Sequence, residues 1–204
     1  GTIDKFIGDG IMAFWNAPLE VKDHTTHAIL AAISMQESLK KFNKENNTSL
    51  IMGIGIHTGR VVVGNVGSKE RVNYTILGDA VNLTARIEGL TKKYKVECMV
   101  SEEVKEKIID KSIIFRKLDI ITVKGKNVPT ILYEVIKDNE ETKKIFSKYE
   151  KAFGLYQDKK FDEAKVLFEE LKKKGDETSN IMLERIESVR NEKNWDGVYH
   201  FDEK

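Results

Sequence analysis

The sequence predicts an α+β fold, with a mainly antiparallel sheet carrying helices on one face and a C-terminal α-helical hairpin after it. Three observations lead there. Short apolar runs come in pairs joined by turn residues, so hairpins dominate the first two thirds of the chain. Helical stretches interrupt the strands without the strict βαβα alternation of a parallel sheet. Past residue 138 the strand signal fades, Lys and Glu become dense, and apolar residues recur at helical spacing.

The elements follow in order. Residues 1–7 read as a strand, Gly8-Asp9-Gly10 as a turn, and residues 11–15 as the returning strand of a hairpin. Pro18 ends the hairpin because it supplies no N–H to a ladder. Residues 23–46 form a helix whose predicted apolar stripe is Ala28, Ala31, Ala32, Met35, Leu39 and Phe42. Residues 51–57 and 60–66 are two strands around the Thr58-Gly59 turn. The glycines of Gly53-Ile54-Gly55 fall inside a strand, which excludes a dinucleotide loop, since that motif needs a glycine turn opening a helix. His57 reads as structural, and His24 with His27, spaced i, i+3, lacks a third metal ligand and reads as a solvated first turn. Residues 96–100 form a short strand, Ser101 caps a helix over 102–109, and strands at 113–123 and 131–136 flank the basic loop Lys124-Gly125-Lys126-Asn127.

The tail, residues 138–204, reads as a unit separate from residues 1–137. Tyr149, Ala152, Phe153 and Tyr156 share one helical face, and Phe161, Ala164, Leu167, Phe168 and Leu171 share another. The short polar linker Gln157-Asp158-Lys159-Lys160 makes the two an antiparallel pair that resembles a tetratricopeptide repeat. Ile181, Leu183, Ile186 and Val189 predict a third helix, and Trp195 to Tyr199 a terminal anchor. One repeat and a helix are too little to stand alone, so the tail is expected to pack on the main domain or on a partner.

Bulk composition narrows the function only by exclusion. At 204 residues, 33% charged and a net charge of +1, the chain advertises no basic face for nucleic acid or anionic lipid. It has no apolar run of bilayer length and no secretory pattern, and its one cysteine, Cys98, precludes an internal disulfide and reads as buried. A cytoplasmic setting is the expectation.

The chemistry concentrates in residues 74–86, Tyr-Thr-Ile-Leu-Gly-Asp-Ala-Val-Asn-Leu-Thr-Ala-Arg. A strand ends at Gly78, whose missing Cβ permits a sharp turn, and Asp79 is placed to cap a new helix. Asn82 and Arg86, four residues apart, project from one face of that helix. An amide beside a guanidinium past a strand end suits a sugar and a phosphate; a solvated helix face is the plain alternative.

This stretch resembles the signature of class III nucleotide cyclases. Residues 3–15 (Ile-Asp-Lys-Phe-Ile-Gly-Asp-Gly-Ile-Met-Ala-Phe-Trp), 53–59 with 63–67, and 123–126 resemble the same family in the same order. The resemblance covers residues 1–137 and implies a ferredoxin-like core. It also implies that the family's first strand and helical segment would precede Gly1, with one of two metal-binding aspartates and the triphosphate loop.

The resemblance further implies an adenylate cyclase, converting ATP to cyclic AMP and pyrophosphate by attack of the ribose 3′-hydroxyl on the α-phosphate. Asp9 matches the remaining metal aspartate, for two Mg²⁺ or Mn²⁺ ions per site, hard cations that prefer oxygen. Lys5 and Thr75 match the pair that reads the base, and lysine there suits adenine N1, where guanylate-forming relatives typically carry glutamate. Asn82 matches the ribose-orienting residue, Arg86 the one that stabilises charge on the transferring phosphate, and Lys124 the one on the terminal phosphates. Lys69 or Arg71 is a further phosphate candidate. Because one chain carries both half-sites, a head-to-tail homodimer is expected, with an upstream sensor or membrane region in the full-length protein. The alternative is a catalytically incomplete cyclase-like module acting through dimerisation and its tail; a plain tetratricopeptide adaptor would leave residues 1–137 unexplained.

Overall fold

The computed structural model describes residues 1–204 except 71, 124–128, 193–194 and 202–204. The chain runs β1 (Thr2–Ile7), β2 (Gly10–Phe14), α1 (His24–Asn46), β3 (Ile54–Ile56), β4 (Val62–Gly67), β5 (Val72–Leu77), α2 (Asp79–Tyr94) and β6 (Cys98–Ser101). It continues with α3 (Glu102–Lys105), β7 (Ile113–Val123), β8 (Thr130–Lys137), α4 (Glu140–Gln157), α5 (Phe161–Lys172), α6 (Glu177–Val189) and β9 (Tyr199–Phe201). Among the described residues the strands form two separate hairpins, β1–β2 and β4–β5, and a five-stranded sheet ordered β3-β6-β8-β7-β9. In that sheet β3 runs parallel to β6 and β9 parallel to β7, while the inner pairs are antiparallel.

Alternation along β6 shows how the sheet is covered. Met99 packs with Leu83, Ile87 and Leu90 of α2, whereas its neighbours Cys98 and Val100 pack with Ile29 and Ala32 of α1 and Val104 of α3. Successive strand residues point to opposite faces, so the expected layer of helices on one face is one of two, and α2 takes the other. The α1 stripe also differs from the sequence reading. Thr25, Ala28, Ile29, Ala32 and Gln36 are buried, while Met35 and Phe42 are exposed. Gln36 is tolerated inside because its amide donates to the carbonyls of Met52 (2.7 Å) and Glu97 (3.1 Å). Strand β3 is shorter than expected, α3 stops four residues early, and β9 was not foreseen. Ser101 precedes α3 as expected, but its hydroxyl meets Nδ1 of His57 at 2.7 Å rather than capping, a structural role for that histidine.

Helix α2 lies unusually close to β3. A Cβ on Gly55 would fall 2.7 Å from the Cα of Glu88, so only glycine admits the helix backbone there. The C-terminal end of α2 is held by the tail. Thr178 Oγ1 donates to the carbonyl of Tyr94 (2.8 Å), and Arg185 Nη2 donates to the Tyr94 hydroxyl (3.1 Å). Asp119 of β7 accepts from both the Tyr94 hydroxyl and Arg185 Nη1. A second buried cluster lies beside it: Arg116 bonds Glu134 (2.8 Å), Asp176 (2.6 Å) and Thr178 (3.1 Å) and stacks over Tyr149.

The tail helices pair as expected. Tyr149, Ala152, Phe153 and Tyr156 bury against Ala164, Phe168 and Leu171, with Met182, Ile186 and Val189 of α6 completing the cluster. Trp195 packs edge-on against Tyr156, 4.7 Å between ring centres, ahead of β9. No described helix is long and apolar enough to cross a membrane.

Arg185→Ala would strand the buried Asp119 carboxylate, and we expect it to lower unfolding free energy by about 3–5 kcal/mol in urea titration. Burial, with the charges of Glu134 and Glu97, pushes the Cys98 thiol up to about 12. A thiol reagent at pH 8 should therefore leave the folded chain unmodified and react stoichiometrically once denaturant is added.

Candidate active site

The ladder between β1 and β2 shifts register between Ile3 and Lys5, leaving Asp4 as the extra residue of a bulge. In a regular strand Asp4 and Lys5 would point to opposite faces. Here both reach Thr75 on β5. Lys5 Nζ donates to Thr75 Oγ1 at 3.0 Å, and Thr75 Oγ1 donates to Asp4 Oδ2 at 2.6 Å. The backbone N–H of Ile76 also donates to Asp4 Oδ2 (3.2 Å), and the Lys5 ammonium stands 3.1 Å from Asp4 Oδ1.

The Asp4 side chain is 1% exposed, and that of Lys5 is 41% exposed. Burial alone would raise the Asp4 carboxyl. Hydrogen bonds from Thr75, Lys5 and Ile76, with the lysine charge, outweigh it and hold the group below the usual carboxylate range. Across the β4–β5 ladder Thr75 faces Gly64, where a Cβ would meet nothing within 4 Å, so open space adjoins the cluster.

Strand β5 leads through Gly78 (φ 145°) directly into α2. Gly78 is the cap residue and Asp79 is the first helical position, with no side-chain cap bond; the expected capping role of Asp79 is thus replaced by a carboxylate in the first turn, where the helix dipole favours it. Asn82 and Arg86 are both exposed, while Leu83, Ile87 and Leu90 of the same helix are buried. The apolar stripe therefore turns the amide and the guanidinium outward.

Asp9 occupies the β1–β2 turn and is exposed. Among the described residues no three His, Cys, Asp or Glu side chains gather into a metal-holding group, so Asp9 by itself does not make a metal centre. Lys69 is exposed in the β4–β5 connection, and Lys124 and Arg71 lie outside the described residues. The structure thus joins Lys5 to Thr75 and sets Asn82 with Arg86 on one helix. Sequence reasoning missed Asp4. Its signal was a second charge inside an apolar hairpin strand, and the bulge that gives it meaning is a tertiary feature.

A donor ammonium and a hydroxyl beside open space, next to a helix bearing an amide and a guanidinium, suit a nucleotide. The sequence matches the Adenylate and Guanylate cyclase catalytic domain family over residues 4–138. It is 39% identical over 140 residues to adenylate cyclase 1 of Rhizobium meliloti, a match over 67% of this chain and 21% of that protein. It is 41% identical over 145 residues to the adenylate cyclase of Anabaena cylindrica, covering 66% and 28%. The chain thus spans under a third of these curated relatives' length. The fold is similar to that of the adenylyl cyclase CyaB from P. aeruginosa, with TM-score 0.61, 33% identity and coverage of 69% and 74%. It is equally similar to the guanylyl cyclase Cya2, with TM-score 0.60, 34% identity and coverage of 69% and 72%. With most of its length matched by the family's sequence pattern and the same architecture in both kinds of cyclase, the chain belongs to the class III adenylate and guanylate cyclase catalytic domain family.

Proposed function

We propose that this chain carries an adenylate cyclase catalytic domain, residues 1–137, followed by a tetratricopeptide-like helical tail, residues 138–204. The observation that carries the choice of ATP over GTP is the Lys5–Thr75 bond of 3.0 Å. It supports a base-reading pair, in which the ammonium donates to adenine N1 and the hydroxyl accepts from the 6-amino group.

In this reading the ribose 3′-oxygen attacks the α-phosphorus as its proton passes to water, and the bond from that phosphorus to the bridging oxygen breaks, that oxygen leaving with pyrophosphate. Cyclic AMP and pyrophosphate result. Asn82 orients the ribose, so that the hydroxyl is held near the phosphorus and little rotational freedom remains to be lost. Arg86 stabilises negative charge growing on the transferring phosphate, a role that a fixed guanidinium fills without reorganising. Lys124 is assigned to the terminal phosphates, with Lys69 or Arg71 as a further contact. The family depends on divalent metal, which supplies charge neutralisation. Asp9 is the one ligand we assign to Mg²⁺ or Mn²⁺, and a single carboxylate is not a complete ligand set for either ion. Two copies packed head to tail would form the sites, in the cytoplasm where ATP is available, under an upstream sensor or membrane region. A second reading is a cyclase-like module that dimerises without turnover, supported by the finding that no three His, Cys, Asp or Glu side chains gather into a metal-holding group among the described residues.

Product formation from ATP with Mn²⁺ or Mg²⁺ separates the two. Specific activity should rise with chain concentration over the range in which dilution splits the dimer, and full specific activity at a concentration where sedimentation shows only monomer would exclude shared sites. Arg86→Ala should slow cyclic AMP formation by about 10²–10³ with a smaller change in KM. A folded chain that makes no cyclic nucleotide at any concentration would favour the non-catalytic module.

A further inference from the structure

Thr75 has one hydroxyl proton and two lone pairs. A threonine facing a ligand can ordinarily rotate and serve as donor or acceptor, and so distinguishes poorly between an amino and a carbonyl group. Here the proton is committed. It lies on the 2.6 Å bond to Asp4 Oδ2, and a bond to a carboxylate is stronger than one to a neutral acceptor. One lone pair accepts the Lys5 ammonium at 3.0 Å. What remains of Thr75 is a single lone pair, able to accept and unable to donate.

The carboxylate that enforces this is itself fixed. The Ile76 N–H holds Oδ2 at 3.2 Å, the Lys5 ammonium meets Oδ1 at 3.1 Å, and the side chain is 1% exposed. One N–H of the Lys5 ammonium serves Thr75, and the ammonium is ion-paired with Asp4 Oδ1 at 3.1 Å. An ammonium has three N–H groups, and with the side chain 41% exposed one stays reachable for a ligand. Gly64, the cross-strand neighbour of Thr75, contributes no side chain, and a Cβ there would touch nothing within 4 Å. The side of the pair next to Gly64 is therefore open at the place where a side chain would otherwise stand.

We infer that Asp4 is a specificity-determining positioning residue: by holding the Thr75 proton it gives the Lys5–Thr75 pair a fixed donor-then-acceptor polarity that matches a 6-aminopurine nucleoside triphosphate and opposes a 6-oxopurine one. Adenine offers an acceptor at N1 and donors at the 6-amino group. Guanine and hypoxanthine offer a donor at N1 and an acceptor at the 6-position, the reverse at both places. A site whose polar groups are left facing like groups rejects the wrong ligand, most strongly where the group is buried, as Thr75 is. The inference rests on the nucleotide reading of this site and goes beyond it, since Asp4 acts through Thr75 and need not touch the base.

The test is competition binding of ATP, GTP and ITP to the full chain, with the ratio of kcat/KM for ATP and GTP wherever turnover is measurable. The wild-type chain should bind ITP as weakly as GTP, because the 6-oxo group and not the 2-amino group is what the pair rejects. Asp4→Ala should lower the ATP-to-GTP ratio about tenfold or more by releasing the Thr75 hydroxyl to donate. Asp4→Asn, whose amide oxygen still accepts that proton, should keep most of the preference. In a Thr75→Val background Asp4→Ala should change the ratio no further. ITP binding as well as ATP, or an Asp4→Ala chain that weakens both nucleotides alike, would overturn the role of Asp4 and leave the cyclase reading standing. Failure of the wild-type chain to bind any of the three would overturn the nucleotide reading itself.

Discussion

Asp119 is 1% exposed, and a carboxylate so placed persists only while a cation and a hydroxyl answer it. Arg185 from the last helix and Tyr94 from the end of α2 do so. The guanidinium also stacks over Tyr199, 3.9 Å from the ring centre, where the chain rejoins the sheet as β9. Four elements distant in sequence, α2, β7, α6 and β9, are thereby fastened at one point. The arrangement is demanding in the way buried ion pairs are. It adds little over an apolar core when complete, and removing either partner is severe. Its effect is to specify one position for the tail instead of merely gluing it on.

The neighbouring Arg116 cluster repeats the device. Its guanidinium answers Glu134 on the adjacent strand and Asp176 at the start of α6. Asp176 is at the same time the cap of that helix, accepting from the Ser179 N–H at 3.1 Å. A change at Arg116 therefore reaches both a strand pair and a helix start. The two clusters together turn what reads as a separate helical appendage into part of the surface against which α2 is set.

Much of this organisation was legible in the sequence and some could not be. Local signals succeeded where one residue type has one physical use. The turn at Gly8, the strand-to-helix turn at Gly78 and the apolar faces of α4 and α5 are of that kind. The family motifs pair Lys5 with Thr75 from the sequence alone, because a motif carries tertiary information that periodicity lacks. What stayed hidden depends on partners far along the chain. Arg116, Asp119 and Arg185 are three charges among many in a chain with 34 basic and 33 acidic residues, and nothing local marks them as buried. The buried stripe of α1 departs from the apolar periodicity because alanines tolerate either side of a helix, while Gln36 is interior only through two distant carbonyls. The bulge at Asp4 exists only once β1 has paired with β2.

The close approach of Gly55 to Glu88 has a mechanical consequence. It presses α2 against the sheet at its midpoint, six residues from Tyr94 at one end and six from Asn82 at the other. At a rise of about 1.5 Å per residue these are arms of roughly 9 Å each. Gly53 admits Thr91 of the same helix in the same way, since a Cβ there would collide with Thr91 Oγ1. The helix is thus seated at two points on the segment that carries β3, and with Leu83, Ile87 and Leu90 buried beneath it α2 and that segment move as one body.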